Sequence, residues 1–178
     1  AVPPPALRQR QRQAPQPAPP VQPPATEPPP APPPAPPAPL LPQWREVWTP
    51  NPELLCDEGG LLAFKDNMPA AGSLLHLLII LDQFMKDISV LGPGDESLVQ
   101  NMDKVGQKLV RRMLPLGTAY GERELLTGFH KPPHLTVDWL HMHVLYPKSE
   151  VKRRNRLKFA HPSIFQPTES LLLELASL

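Results

Sequence analysis

Proline is concentrated near the start of this chain, and this distribution limits what the chain can fold into. Of the 29 prolines among 178 residues, 21 lie in the first 52 positions and 8 in the remaining 126. Up to residue 42 the sequence is mostly Pro, Ala, Gln and Arg, with runs such as PPPAPPPAPPAP. Such a segment cannot bury enough apolar surface to offset the entropy lost on ordering. We therefore expect a disordered Pro-rich tail over residues 1–42, a linker over 43–52 and one folded domain over 53–178.

The charge and cysteine content exclude several classes of protein. Eighteen Lys and Arg residues against 17 Asp and Glu residues give a formal net charge of +1, so no specific binding of nucleic acid is expected. The single cysteine, Cys56, excludes a disulfide scaffold and a cysteine-based zinc site. The apolar runs of the predicted domain are far shorter than the ~20 residues that cross a bilayer, so no membrane association is expected. The opening residues do not resemble a signal peptide, and we expect a cytoplasmic protein.

Hydrophobic periodicity predicts an α+β domain. Four segments have the length and the flanking turn residues of strands: 60–66, 74–81, 124–129 and 137–146. Apolar residues three and four apart predict a helix from the N-cap residue Asp95 to about Met113. Thr168 is the predicted cap of a C-terminal helix. The order favours an antiparallel sheet of about five strands with two helices.

Two histidines in the last predicted strand are the strongest candidates for chemistry. Alternate side chains of a strand share a face, so Trp139, His141 and His143 are expected on one face and Met142 in the core. The two imidazoles would then stand about 7 Å apart. A neutral imidazole is a nucleophile at pH 7, and an imidazolium can hold a phosphate oxygen. By spacing alone, the pair could serve catalysis, bind a metal or be incidental.

The residues around this pair resemble the signature of the histidine-triad superfamily, in which three histidines alternate with apolar residues. Residues 139–145 read WLHMHVL and follow GFHKPP at 128–133. Further matches occur in the order of the family: LAFKD at 62–66, MPAA at 68–71 and LVQNM at 98–102. The sequence is most similar to the Hint branch of adenosine phosphoramidases. The resemblance implies the histidine-triad fold, a homodimer or higher homo-oligomer, and an AMP-containing small-molecule substrate hydrolysed without metal or cofactor.

The resemblance also implies roles for individual residues. His141 would attack the α-phosphorus and become transiently nucleotidylated. The implied nucleotide- and phosphate-binding residues are Phe64, Asp66, Asn67, Thr136 and His143. Several of these have a plain structural alternative, since Phe64 suits a core, Thr136 a strand and Asp66 a turn.

Two positions of the supporting shell depart from the family pattern, because Trp139 and Phe84 stand where the family has histidines. The backbone carbonyl of Trp139 could still orient His141. We expect the two rings to lie together beneath His141 and to lower its pKa, because an apolar wall disfavours imidazolium. The predicted function is a nucleotide phosphoramidase or hydrolase that acts on adenosine 5'-monophosphoramidate-type substrates through nucleotidyl-His141. The alternative is a catalytically impaired nucleotide-binding module.

The Pro-rich tail and a basic run each allow more than one interpretation. The proline repeats suit SH3, WW or profilin-type partners, which would make the chain an interaction protein, or they form a passive solvated tail. The run KRRNRLK at 152–158 is a solvated face, a nuclear address or an anion-binding patch. The nucleus is therefore a second expected location.

Five further ring residues have structural interpretations. His76 is expected to be buried in its strand, while His130 and His134 are expected to be exposed in a loop near the phosphate site. Trp44 and Trp48 lie four residues apart in the predicted linker and indicate one turn on the domain surface.

Overall fold

A six-stranded antiparallel sheet organises the part of the chain that the computed structural model describes, residues 43–178. The strands are β1 (Leu54–Glu58), β2 (Leu61–Lys65), β3 (Leu75–Leu81), β4 (Leu126–His130), β5 (His141–Tyr146) and β6 (Phe165–Pro167). The helices are α1 (Trp44–Val47), α2 (Glu96–Met113), α3 (Arg153–Ala160) and α4 (Thr168–Leu175). The strand order is β1-β2-β3-β5-β4-β6. The expectations for residues 1–42 lie outside the described residues.

The predicted α+β class and antiparallel sheet are confirmed, but the predicted number of elements is too small. Six strands are present where about five were expected, and the described residues contain four α-helices where two were expected. The strand β6 has three residues, which is too short for a periodicity to show. The helix α3 was missed because its sequence, RRNRLKFA, is mostly basic and lacks an apolar stripe.

One predicted strand boundary and two predicted helix caps need correction. The strand predicted over 137–146 begins only at His141, so Trp139 precedes β5. Helix α2 starts after Asp95 as predicted, but the Asp95 carboxylate accepts from the Gly92 N–H and makes no cap to the helix. Thr168 is the first residue of α4, and Pro167 occupies the cap position. Within the described residues, no helix has both the length and the apolar character needed to cross a membrane.

The register of the central strands places both candidate histidines on one face. In the β3–β5 pair, Leu78 lies opposite His143 and Ile80 lies opposite His141. Directly opposed residues of an antiparallel pair share a face. His141 and His143 therefore stand at the centre of the sheet, with β4 beyond them and β2 beyond β3.

Helix α2 covers the opposite face of the sheet. Met142 and Val144 of β5 are fully buried there, as the alternation predicts. The helix lies close to the sheet at Gly106, where an added Cβ would be 2.8 Å from Cγ2 of Val144. Glycine thus permits the close approach that fixes β5 from behind.

Two apolar clusters flank the histidines on their own face. The first contains Trp44, Leu62, Phe64, Leu78, Ile80 and Trp139. The second contains Ala70, Leu145, Val151, Phe159 and Phe165. Trp44 is only 7% exposed, so the predicted linker packs against the domain through α1. Helix α1 has only four residues and lies between prolines, so it shows no periodicity from which this packing could be predicted.

Candidate active site

A cavity of about 1310 Å³ opens on the face of the sheet that carries the two histidines. The candidate catalytic and binding residues all line it: Phe64, Asp66, Asn67, Thr136, His141 and His143. They come from β2, the turn after it, the segment before β5, and β5 itself. The fold thus brings together residues that lie up to about eighty positions apart in the chain.

The ring of His141 is held with a defined proton position. Its Nδ1 lies 2.6 Å from the backbone oxygen of Trp139. A carbonyl oxygen can only accept, so Nδ1 carries the hydrogen and Nε2 of the neutral ring keeps a lone pair. Burial lowers the pKa of His141, against the opposing effects of the Trp139 hydrogen bond and the Asp66 charge. The ring is therefore neutral near pH 7 and has a nucleophilic nitrogen.

His76 is buried as expected, and it also fixes the proton position of its neighbour. The Ala70 N–H donates to His76 Nδ1 at 3.0 Å, so the hydrogen of the neutral ring is on Nε2. That Nε2 lies 2.9 Å from His143 Nδ1 and 3.3 Å from Asp66 Oδ2. Burial lowers the pKa of His76 to about 4, although the Asp66 charge acts in the opposite direction.

The donor on His76 determines the tautomer of His143. Because His76 Nε2 donates, His143 Nδ1 accepts, and the hydrogen of the neutral His143 ring is on Nε2. This Nε2 is buried and has no hydrogen-bond partner among the described residues. Burial, followed by the neighbouring histidines, holds the pKa of His143 well below its usual value. The ring offers a neutral N–H donor that a bound phosphate oxygen would satisfy.

The expectation that His130 is an exposed loop residue is wrong. Strand β4 runs one residue further than predicted, and His130 is its half-buried last residue. Its ring lies 4.6 Å from the ring of His143, centroid to centroid. Burial is the main cause that lowers its pKa, and the charges of His141 and Lys158 add to it. His134 is exposed and lines the cavity, as the sequence predicts.

Asp66, His76 and His143 are the described residues whose ligand atoms are close enough to hold a metal ion, all within 4.8 Å of one another. Hydrogen bonding already accounts for the closeness of these atoms. The two nitrogens are 2.9 Å apart, a hydrogen-bond length, whereas two nitrogens on a tetrahedral zinc ion are about 3.4 Å apart. We therefore describe the cluster as a hydrogen-bonded chain.

An aromatic wall that includes Trp48 closes one side of the cavity. Phe64 is buried, and the Trp48 ring packs edge-on against both Phe64 and His141, with centroids 5.3 Å apart in each pair. The Trp48 Nε1 is buried without a partner among the described residues. No site role was predicted for Trp48, because its spacing from Trp44 indicates a turn but not the strand against which that turn packs.

Comparison with known proteins identifies the family. Residues 48–158, more than half of the chain, match the family model described as scavenger mRNA decapping enzyme C-terminal binding. The chain belongs to the histidine-triad superfamily. It is Hint-like within that superfamily, which confirms the resemblance predicted from the sequence.

Similar proteins include two curated relatives and a solved structure. Adenosine 5'-monophosphoramidase HINT3 from Danio rerio is 32% identical over 99 residues, which span 56% of this chain and 58% of that protein. The bifunctional adenosine 5'-phosphosulfate phosphorylase/adenylylsulfatase HINT4 from Arabidopsis thaliana is 36% identical over 92 residues, which span 51% of this chain and 58% of that protein. A HIT family hydrolase structure from Clostridium thermocellum aligns at 22% identity and a TM-score of 0.46, covering 58% of this chain and 83% of its own.

Trp139 and Phe84 form an apolar pair in the core of this histidine-triad chain. Trp139 and Phe84 contact each other edge to face with centroids 5.3 Å apart, as the sequence predicts. Neither ring lines the cavity. The Trp139 indole N–H donates to the Leu81 carbonyl at 3.0 Å, which fixes the ring in the core. The pKa of His141 is lowered, as the sequence predicts, and burial is the main cause.

Proposed function

We propose that this protein hydrolyses adenosine 5'-monophosphoramidate-type substrates through a nucleotidyl-His141 intermediate. The observation that carries the proposal is the hydrogen bond from His141 Nδ1 to the Trp139 carbonyl, which leaves a lone pair on Nε2. The unpartnered N–H of His143 lies on the adjacent ring, whose centroid is 4.9 Å from that of His141. A nucleophilic nitrogen and a hydrogen-bond donor for a phosphate oxygen thus stand side by side in one cavity.

The reaction proceeds in two steps. The His141 Nε2 lone pair attacks the α-phosphorus, and the bond from phosphorus to the leaving amine breaks with its electron pair on the amine, which takes a proton from water. The Trp139 carbonyl stabilises the positive charge on the nucleotidylated ring. Water then attacks the phosphorus and releases a proton to the solvent, which balances the one taken by the amine; the electron pair of the P–Nε2 bond returns to His141, and AMP leaves. The His143 N–H binds a phosphate oxygen throughout.

The proposed nucleoside position lies against the aromatic wall. The half-buried Trp48, which packs edge-on against the buried Phe64, offers a ring for a base, and Asn67 is exposed at the same side of the cavity. Asp66 accepts from the Met68 N–H at 2.8 Å, which orients its carboxylate for the ribose hydroxyls. Thr136 is exposed in the segment before β5 and would donate to the phosphate. The names of the relatives, which act on adenylyl compounds, support adenine as the base.

A second candidate function is nucleotide binding without turnover. The contact between Trp139 and Phe84 favours it, because two apolar rings supply no proton where an imidazole pair could. General acid–base help is typically worth ~10²–10⁴-fold, so its loss would leave a slow enzyme or an inactive one.

One experiment separates the two functions. The full chain is mixed with a fluorogenic adenosine 5'-phosphoramidate, and turnover is compared with that of His141→Ala and of the control His161→Ala, an exposed histidine outside the cavity. Hydrolysis that His141→Ala abolishes and His161→Ala retains supports the enzyme. Saturable AMP binding without turnover supports the binding module. The homo-oligomer, the tail partners and the cellular location stay predictions.

A further inference from the structure

The side of the cavity formed by α3 carries positive charge that the proposed chemistry does not use. Arg154, Asn155 and Lys158 line the cavity together with Phe159. The sequence of α3, RRNRLKFA, contains four cationic residues and no acidic one. This helix is the greater part of the basic run for which the sequence left three interpretations open.

Other residues of the helix hold it in place. Phe159 is 8% exposed and packs against the rings of His76 and His143 at centroid distances of 5.7 and 5.6 Å. Arg156 donates from Nε to the Val151 carbonyl at 2.7 Å and from a terminal nitrogen to the Ser149 carbonyl at 2.6 Å. The helix is therefore fixed beside the reactive histidines without the help of Arg154 or Lys158.

Arg154 and Lys158 are free to meet a ligand. Both are exposed, and neither makes a hydrogen bond or an ion pair with any described residue, unlike Arg156 on the same helix. The two carboxylates that line the cavity, Glu53 and Asp66, do not neutralise them. The Asp66 carboxylate instead accepts from the Met68 N–H and lies 3.3 Å from His76 Nε2, and Glu53 precedes β1 at the far edge of the sheet.

The order of the strands determines where this positive charge lies relative to the proposed nucleoside position. Phe64 of the nucleoside side lies on β2, the reactive histidines lie on β5, and α3 packs at β6, where the Phe159 and Phe165 rings are 5.4 Å apart. The cationic helix thus packs beside His143 and His130 through Phe159, whereas the aromatic wall contacts His141 through Trp48.

We propose that the α3 side of the cavity is a subsite for a leaving group that carries a phosphate. The inference rests on the proposed hydrolysis and names the class of leaving group it takes. Arginine and lysine bind phosphate through charge-assisted hydrogen bonds, and here two of them face the cavity beyond the histidines. A neutral amine would leave both cations without a partner.

The test uses two matched substrates with the full chain. In one, AMP is joined through nitrogen to ethanolamine, and in the other it is joined through nitrogen to O-phosphoethanolamine, so only a phosphate distinguishes them. We expect a kcat/KM about tenfold higher for the phosphorylated substrate, as for one or two charge-assisted contacts in a solvated site. Raising the salt concentration should reduce this preference.

The variants identify the residues responsible. Arg154→Ala with Lys158→Ala should bring the ratio of the two kcat/KM values close to one while the ethanolamine substrate is hydrolysed as before. Arg153→Ala, an exposed cation on the same helix that does not line the cavity, should leave the ratio unchanged.

Failure of this inference is distinguishable from failure of the proposed function. A His141-dependent reaction with no preference, or with a preference that the double variant retains, overturns the subsite alone. Equal turnover by His141→Ala overturns the hydrolysis. If neither substrate is turned over, the dissociation constants of the two substrates are measured on the unaltered chain and on the double variant. Tighter binding of the phosphorylated substrate that the double variant loses supports the subsite, and equal dissociation constants overturn it.

Discussion

The tautomers of three histidines follow from two backbone groups. The Ala70 N–H sets His76, His76 sets His143, and the Trp139 carbonyl sets His141. The result is a lone pair on one reactive ring and a hydrogen on the next. At the level of single residues, the mechanism therefore depends on hydrogen bonds that no single motif contains.

Replacing His76 tests this chain of hydrogen bonds. His76→Leu removes the donor to His143 Nδ1, and we expect kcat/KM to fall about 10–100-fold, the usual cost of losing an orienting partner. His76→Gln retains an N–H donor and should recover part of the loss. The readout that separates positioning from folding is the ¹⁵N chemical shift of His143, which reports its tautomer. An unchanged tautomer in His76→Leu would contradict the mechanism.

The pH dependence of activity follows from the lowered pKa of His141. Burial disfavours the imidazolium form, so the neutral nucleophile persists to a lower pH than in an exposed histidine. We expect the acid limb of the kcat/KM profile to lie below the ordinary value of about 6.5. A loss of activity already between pH 8 and pH 7 would contradict a lowered pKa for His141.

Among the strands and helices, the sequence predicts most of what positions the site. The strands that became β2 and β3, the helix α2 and the alternation in β5 all have clear periodicity. The sequence could not predict that α1 and α3 close the cavity, because one is four residues long and the other is mostly basic. His130 was expected near the phosphate site, but its burial could not be predicted because it depends on where a strand ends. The contact of Trp48 with His141 depends on packing between distant segments.

The packing of α2 against the sheet can be tested at Gly106. Valine there would add carbon atoms where even a Cβ lies 2.8 Å from Val144 Cγ2 and 3.3 Å from Ile79 Cδ1. Overpacking of this kind costs about 1–3 kcal/mol of the free energy of unfolding, measured by urea denaturation. The matched control is Gly92→Val, because an added Cβ there meets nothing within 4 Å. Equal stability of the two variants would contradict the close approach of α2.

Across the chain, the folded unit begins earlier than the sequence indicates. Trp44 is buried in the cluster with Trp139, and Trp48 contacts His141. We expect a chain that starts at Gln43 to keep the stability and the activity of the full chain. A chain that starts at Glu53 lacks both indoles and should lose several kcal/mol, as for deletion of a buried aromatic residue. Thermal unfolding and AMP affinity measure both effects, and loss of folding in the longer chain would contradict the boundary.

The proposed hydrolysis requires that His141 form a covalent bond to phosphorus. Rapid quenching of the reaction with an adenosine 5'-phosphoramidate, followed by digestion and mass spectrometry, would detect that bond. We predict a transient adenylyl group on the peptide that contains His141, located on that residue by fragmentation and absent from His141→Ala. Turnover without an adduct, or an adduct on His143 or His130, would contradict the assignment of His141 as the nucleophile.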